Sequence, residues 1–478
     1  MFLSNINRYQ EKNNLLSITI NLVLSFLFYL FLIINWYSVS DRWPTVILCL
    51  ACIMLAIQMM SLILKRIPIF DFRYWYSVLC FVFTYGRIFI IAFDLEDRLI
   101  WQNLSMNYSD LQSWQAGLLS LVCIQCLFSG MLWTPKKTYL KRDGSLVPNR
   151  RFFLAGLVLI VLLLPFKIVV DYQNYILMKA SETYAQAEVN GVVGNLSLLF
   201  PLGFVLIVFS GKISKYKCLL FIFFYAVLML FFSIYTGDRR NVITSIIALF
   251  LTYFFVYKPK VTFFKVILFI LLSTAVLYLL VVIRELRSSG SGSLKTVFEF
   301  LSANPLSFMD ILIDSFSEYG ITYYTYANAI KFYPTEINFF YGSSYVLWIV
   351  LAIPGIGVIL PAINDITSTS KYPESVLGYS VGGSFGQEAY ANFGLLAGVF
   401  LFLLGLILIS RIICLYKKGK KQQLYYFVFV YFLMSLPRAS IIEFSRQIIW
   451  SIVLIEVCLS IFYKKRDVVN AKNSINCN

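Results

Sequence analysis

The chain reads as an all-α polytopic membrane protein with about twelve transmembrane helices. Three observations carry that reading. Of its 478 residues, 59% are hydrophobic and 13% charged. Mostly apolar stretches of 18 or more residues recur from end to end, each long enough to cross a hydrocarbon core of about 30 Å as a helix. Lys and Arg gather in alternate connecting segments, as the positive-inside rule requires of cytoplasmic loops.

In chain order the spans fall at 15–39, 44–64, 69–93, 113–133, 152–171, 193–210, 218–236, 241–257, 262–283, 390–412, 422–438 and 447–463. No small-residue cleavage site follows the first, so it is expected to be a retained helix and not a signal peptide. The Lys-rich segments 134–151 and 411–421 read as solvated cytoplasmic connectors. Loop 172–192 is polar and external, with room for a short interfacial helix. With the N-terminus inside, the cytoplasmic segments hold twenty-five Lys and Arg, opposed by Glu11, Asp143 and Asp467 with Asp71 at a margin. The external segments carry roughly thirteen basic residues against roughly nineteen acidic ones. Both termini are therefore expected in the cytoplasm, and the net charge of +16 is a topology signal that gives no reason to expect nucleic acid.

This partition divides the chain into a nine-span bundle (1–283), one large external, periplasmic loop (284–390), three further spans (391–463) and a basic cytoplasmic tail (464–478). Segment 344–363 is apolar, but counting it as a span would send Lys417–Lys421 and Lys464–Arg466 outside. Pro354, Gly355, Gly357 and Pro361 would also break a helix there, so it reads as a re-entrant or interfacial hairpin. Ahead of it, Leu306, Met309, Ile313, Phe316 and Tyr319 recur at helical spacing, with Asp310, Asp314 and Ser317 on the opposite face. The loop is dense in tyrosine (Tyr323, Tyr324, Tyr326, Tyr333, Tyr341, Tyr345, Tyr372, Tyr379, Tyr390), which suits either an interfacial belt or stacking on sugar rings.

The nine cysteines lie in spans or near cytoplasmic ends, so no disulfide framework is expected, and the Cys123/Cys126 pair reads as packing. The absence of histidine excludes His-based general catalysis and argues against a transition-metal site; no metal and no cofactor is expected.

External arginines collect where the later spans open outward. Arg239 and Arg240 sit in the tight turn Thr236–Asn241, Arg284 and Arg287 stand one turn apart beyond span nine, and Arg438 and Arg446 flank the last external turn. Guanidinium groups at such a rim suit phosphate or pyrophosphate, and equally serve as solvated helix ends. Arg87, Lys167 and Glu456 lie inside spans. A charge at a helix centre costs about 2.5–3.5 kcal/mol on insertion scales, so these face the bundle interior or water. An Arg87–Glu456 structural pair and a cavity lining are both open. Glu388, bracketed by Gly382, Gly383, Gly386 and Gly394, suits either a general base with a raised pKa or a cap on the start of span ten.

The long external loop before three last spans, the stretch Tyr341–Gly355 (YGSSYVLWIVLAIPG) and Gly382–Gly398 (GGSFGQEAYANFGLLAG) together resemble the Wzy-type polymerases of O-antigen and capsular polysaccharides. The Thr236–Asn241 turn is similar to the family's Gly-Ser/Asp-Arg turn. An Arg-x10-Gly signature is absent, since Phe250 and Leu251 stand where glycine would follow Arg239 and Arg240. The resemblance covers nearly the whole chain and implies a metal-free, GT-C-like glycosyltransferase in the bacterial inner membrane. Its donor and acceptor would be oligosaccharides on undecaprenyl pyrophosphate, held among membrane lipid, and a chain-length regulator protein would be its partner. It implies that Arg239, Arg240 and Arg284 neutralise the departing pyrophosphate, with Arg287, Arg438, Arg446 and Arg87 as further substrate contacts. Glu388 would deprotonate the acceptor hydroxyl, while Tyr379, Tyr390 and Asn392 grip sugars. An O-antigen ligase shares topology and donor but is associated with a loop histidine; a flippase would need paired broken helices.

Overall fold

The computed structural model describes residues 2–95, 107–133, 149–181, 191–236, 240–259, 308–353, 356–360, 369, 371–377, 382–415 and 419–475. Among them every regular element is helical and none is a strand. Nine of these helical stretches are long and apolar enough to cross a membrane, and Asn241–Tyr257 is a shorter apolar helix. The protein is thus an all-α polytopic membrane protein. The span expected over 262–283 lies outside the described residues.

The chain forms two compact units: residues 1–141, 306–426 and 433–444 make the first, and 142–305, 427–432 and 445–478 the second. The first unit opens with α1 (Phe2–Asn35), α2 (Trp43–Leu64), α3 (Phe72–Ala92) and α4 (Asp110–Leu132). Ser109 starts α4 with a capping box, accepting from the Gln112 amide while Gln112 accepts from its own. Asp71 caps α3 and pairs with the Arg73 guanidinium at 2.8 Å.

α4 is enclosed along its whole apolar window. It meets α1 and α2 through side-chain amides and hydroxyls. Gln58 donates to Gln125 (3.0 Å), Gln125 to Asn21 (3.0 Å), Asn21 to Ser61 (2.5 Å), and the Ser25 and Ser129 hydroxyls pair at 2.8 Å. Between helices in lipid, where apolar contact alone does not drive association, such bonds hold the helices together. Cys123 and Cys126 are buried in this packing, Cys126 against Gly398.

The second unit contains α5 (Arg150–Ser181), α6 (Gly191–Leu198), α7 (Pro201–Phe209), α8 (Lys215–Thr236) and α9 (Arg240–Tyr257). α5 keeps its helix through Ser181, so the segment expected as a polar loop from 172 begins as a continuation of the span. At about 1.5 Å per residue it reaches beyond the hydrocarbon core or tilts within it. α6 and α7 form one span broken at Leu199–Phe200. Phe204 of α7 packs on Phe221 and Tyr225 of α8.

The chain returns to the first unit with α10 (Phe308–Tyr319), α11 (Thr322–Phe332), α12 (Ser343–Leu351), α13 (Ile356–Ile359) and α14 (Lys371–Leu377). α10 packs on α3 and α11 on α4. The helical spacing read for α10 is correct, and residues of both its sides are enclosed: Asp314 and Ser317 are buried, as is Tyr319, while Met309 is exposed. The elbow between α10 and α11 closes on α3 because both sides lack a Cβ. A methyl on Gly86 would stand 2.5 Å from the Phe316 carbonyl, and one on Gly320 would overlap the Arg87 amide. Tyr323, Tyr324 and Tyr326 are fully buried by this packing, so these three make neither a surface belt nor an open stacking face, whereas Tyr341 and Tyr372 are exposed. On α12, Val346 and Ile349 face outward, as lipid allows.

The remaining elements are α15 (Phe385–Phe393), a 3-10 turn, α16 (Ala397–Leu404), a π turn (Gly405–Ile409), α17 (Ser410–Leu415), α18 (Lys420–Ser435), a 3-10 turn (Leu436–Arg438) and α19 (Ile441–Ile475). Span ten therefore starts earlier than expected and is broken, because Gly394 takes φ +55 and ends α15. The π turn abuts α4, where a Cβ on Gly130 would stand 2.8 Å from the Leu406 amide. Where span eleven was expected, at 422–438, stands the helix α18, sixteen residues long, which is not among the nine stretches long and apolar enough to cross a membrane.

Candidate active site

Short helix α15 is the centre of the candidate site in the first unit, and every residue from Phe385 to Asn392 is buried. Ser384 begins it as N-cap, accepting from the Gln387 amide at 3.2 Å, and its hydroxyl also bonds Thr325 of α11 at 2.6 Å. Gln387 donates to the Thr369 carbonyl (3.3 Å).

Glu388, in the first turn and 0% exposed, turns its carboxylate onto another helix. Its Oε2 accepts from the Ile441 amide at 2.5 Å, the first residue of α19. The carboxylate thus meets the positive end of that helix and fixes the turn Leu436–Arg438 just before it. Arg438 is half-buried on that turn. The cap foreseen for Glu388 on span ten is made instead to α19, while Glu388 also occupies the first turn of its own helix. The phenol of Tyr345, on α12, is pushed well above the usual tyrosine range by burial, and then by the Glu388 charge. It stays protonated beside the carboxylate.

Asn392 is also wholly buried. Its amide donates to the Glu388 carbonyl (2.8 Å) and accepts from the Gly342 amide (3.1 Å) and the Ser344 hydroxyl (2.8 Å), which fastens the start of α12 to the end of α15. Tyr390 is buried edge-on against Phe339, with ring centroids 5.7 Å apart.

Arg87 is 1% exposed, donates to the Ser317 hydroxyl, and lies 5.8 Å from the Tyr324 ring centroid. The structure therefore brings Glu388, Asn392 and the Arg438 turn together in one unit. Arg446 is half-buried on the part of α19 that belongs to the second unit. Arg240 begins α9, but its side chain, with Arg239, Arg284, Arg287 and Tyr379, lies outside the described residues.

The sequence reading missed Ser384, Thr325, Gln387 and the electrostatic influence of Glu388 on Tyr345. Ser384 and Gln387 carried a signal, the Ser-x-x-Gln spacing of an N-terminal cap. Among the described residues, no three His, Cys, Asp or Glu side chains are placed to hold a metal ion.

The family model described as "O-antigen polysaccharide polymerase Wzy" matches residues 18–466, nearly the whole chain. The chain belongs to the Wzy family of O-antigen polysaccharide polymerases. As a Wzy-family protein it is a multi-pass inner-membrane enzyme of the glycosyltransferase type, and it polymerises lipid-linked oligosaccharide repeat units in O-antigen synthesis. No curated protein and no solved structure matches it.

Proposed function

We propose that this Wzy protein extends the polysaccharide on the external face of the membrane, with both of its termini in the cytoplasm. The donor is the growing chain on one undecaprenyl pyrophosphate, and the acceptor is a single repeat unit on another. A hydroxyl of the acceptor sugar attacks the anomeric carbon of the donor, the bond from that carbon to the pyrophosphate oxygen breaks, and undecaprenyl pyrophosphate leaves. Glu388 takes the hydroxyl proton. Arg239, Arg240 and Arg284 meet the negative charge that develops on the leaving group, with Arg287, Arg438 and Arg446 as further contacts. Tyr379 belongs with the sugar-gripping groups. Arg87, Asn392 and Tyr390 support the site from within the protein. The reaction runs without a metal, so EDTA leaves the rate unchanged, and a chain-length regulator protein sets where extension stops.

The observation that carries the reading is the buried Glu388 carboxylate, oriented by the Ile441 amide beside the turn that bears Arg438. Reconstituting the protein with a synthetic lipid-linked repeat unit tests it. Glu388→Gln keeps an acceptor for the Ile441 amide but cannot take a proton. Elongation should fall by about 10²–10⁴ while the melting temperature holds. Near-normal elongation by Glu388→Gln would leave Glu388 as a helix clamp only. In cells lacking the protein, lipopolysaccharide ladders that persist above one repeat unit would sink the polymerase reading itself.

A further inference from the structure

We infer that Tyr341 is a stacking platform for a sugar ring of the repeat unit, and that with Tyr372 and Glu336 it forms a subsite for neutral sugar beside α15. The inference rests on the reading that α15 serves the reacting end of the acceptor. The tyrosines of this region suit either an interfacial belt or stacking on sugars. Among them, Tyr341 is 79% exposed and Tyr372 44%.

The backbone separates the two uses at Tyr341. Tyr341 and Gly342 are the centre of a turn in which the Ser343 amide donates to the Phe340 carbonyl at 2.9 Å, and both have positive φ, 48 and 84. Asn and Gly ordinarily fill such positions, and a bulky aromatic in the left-handed region is strained. A tyrosine that only anchors a protein at a fluid interface needs no fixed direction, so a relaxed backbone would serve it. Here the strained turn is pinned on both sides to α15. The Phe340 amide donates to the Ala391 carbonyl at 3.0 Å, and the Gly342 amide to Asn392 Oδ1 at 3.1 Å. The Tyr341 ring meets Phe339 edge-on at 6.3 Å, and Phe339 in turn meets Tyr390 of α15. The turn thus holds an exposed ring at a set position relative to the helix that carries Glu388.

Charge selects the ligand. The ends of loop 333–340 meet through the rings of Tyr333 and Phe340, 5.8 Å between centroids, and Tyr372 packs edge-on against Phe332 just before it at 5.9 Å. The Tyr372 phenol donates to Glu336 Oε2 at 3.1 Å, and Glu336 is exposed. A carboxylate there repels a pyrophosphate and the anionic headgroups of a bilayer, while its oxygens accept from the neighbouring hydroxyls of a pyranose. The aromatic faces take the C–H side of such a ring. Rings and carboxylate together suit a neutral, hydroxyl-rich ligand: the sugar part of the substrate and not its phosphates.

The test titrates the full-length protein in detergent with the repeat-unit oligosaccharide released from its lipid carrier, binding being read by saturation-transfer NMR. Tyr341→Ala should weaken binding about tenfold. Tyr341→Phe and Tyr341→Trp keep an aromatic face and should bind nearly as the wild type. Tyr341→Asn, which suits a positive φ, should melt at or above the wild type yet bind as poorly as Tyr341→Ala. Glu336→Gln should weaken binding about threefold. In elongation of the synthetic lipid-linked repeat unit, Tyr341→Ala should raise KM far more than it lowers kcat. Unchanged affinity in Tyr341→Ala, an equal loss in Tyr341→Phe, or a lower melting temperature for Tyr341→Asn overturns the inference; so does a wild type that does not bind the oligosaccharide. The two readings fail separately. Oligosaccharide binding that depends on Tyr341, in a protein whose Glu388→Gln variant elongates normally, upholds the subsite and removes the proton transfer to Glu388. Elongation lost in Glu388→Gln, with unchanged affinity in every Tyr341 variant, does the reverse.

Discussion

Arg87 and Lys167 are both buried cations in apolar spans, and they are held in opposite ways. Arg87 bonds across to Ser317 of α10 and lies over Tyr324 of α11, so its planar, permanently charged fork ties three helices together. Lys167 bonds to Asp171 on its own helix and lies 5.7 Å from the ring centroid of Phe232 on α8. Equal burial therefore says little about purpose. What separates the two is that the hydrogen bond from Arg87 to Ser317 reaches another helix, while that from Lys167 to Asp171 stays on its own.

The largest expected effect follows from Arg87. Arg87→Met should lower stability by about 3 kcal/mol, the sum of a charged hydrogen bond and a cation–π contact. Thermal unfolding in detergent reads it, and Arg87→Lys should recover little because an ammonium cannot fill the planar fork. A melting curve for Arg87→Met that overlays the wild type would erase the distinction from Lys167.

Next comes the elbow that seats Arg87. Gly320→Ala puts a methyl into the Arg87 amide and should cost about 1–3 kcal/mol by overpacking, seen in the same melt.

Lys65, just past the end of α2, extends the comparison to a third buried cation. It donates to the Leu132 carbonyl, and burial, then the nearby Arg73 charge, lowers its pKa to about 7. Below that pH both folded and unfolded chains hold the proton and the penalty is complete. Between about 7 and the unfolded value near 10, only the unfolded chain keeps it, so stability should rise with pH by at most about 1.4 kcal/mol per unit. Melting temperatures from pH 7 to 9 should climb in the wild type and stay level in Lys65→Met. The smallest effect belongs to a bond shared among neutral groups: Gln125→Leu should cost about 1 kcal/mol, since Asn21 and Gln58 each keep other partners or lose only one.

Much of this was legible beforehand. Span positions follow from apolar run length, a local property, and most of the expected spans appear as helices. The spacing around Phe316 revealed α10, but not which side faces in. Both sides are engaged, with Phe316 and Tyr319 packed on Phe89 and Phe83 of α3 while Asp314 and Ser317 are buried too. The clasp between Glu388 and Ile441 joins residues 53 positions apart and depends on packing that no local pattern encodes. Ser384 was locally readable, because a cap and its partner lie within one turn.

The π turn at Gly405–Ile409, set against Gly130, also bears on how the chain tolerates changes of length. A π turn houses one residue more than the α-helical ladder around it. Deleting a single residue among Leu406–Leu408 would let its i→i+5 bonds close as regular i→i+4 bonds and leave Ser410–Leu415 close to its present register. The turn is thus an insertion seam inside a membrane span: a place where a residue can be gained or lost without any loop and with the flanking helix nearly in place.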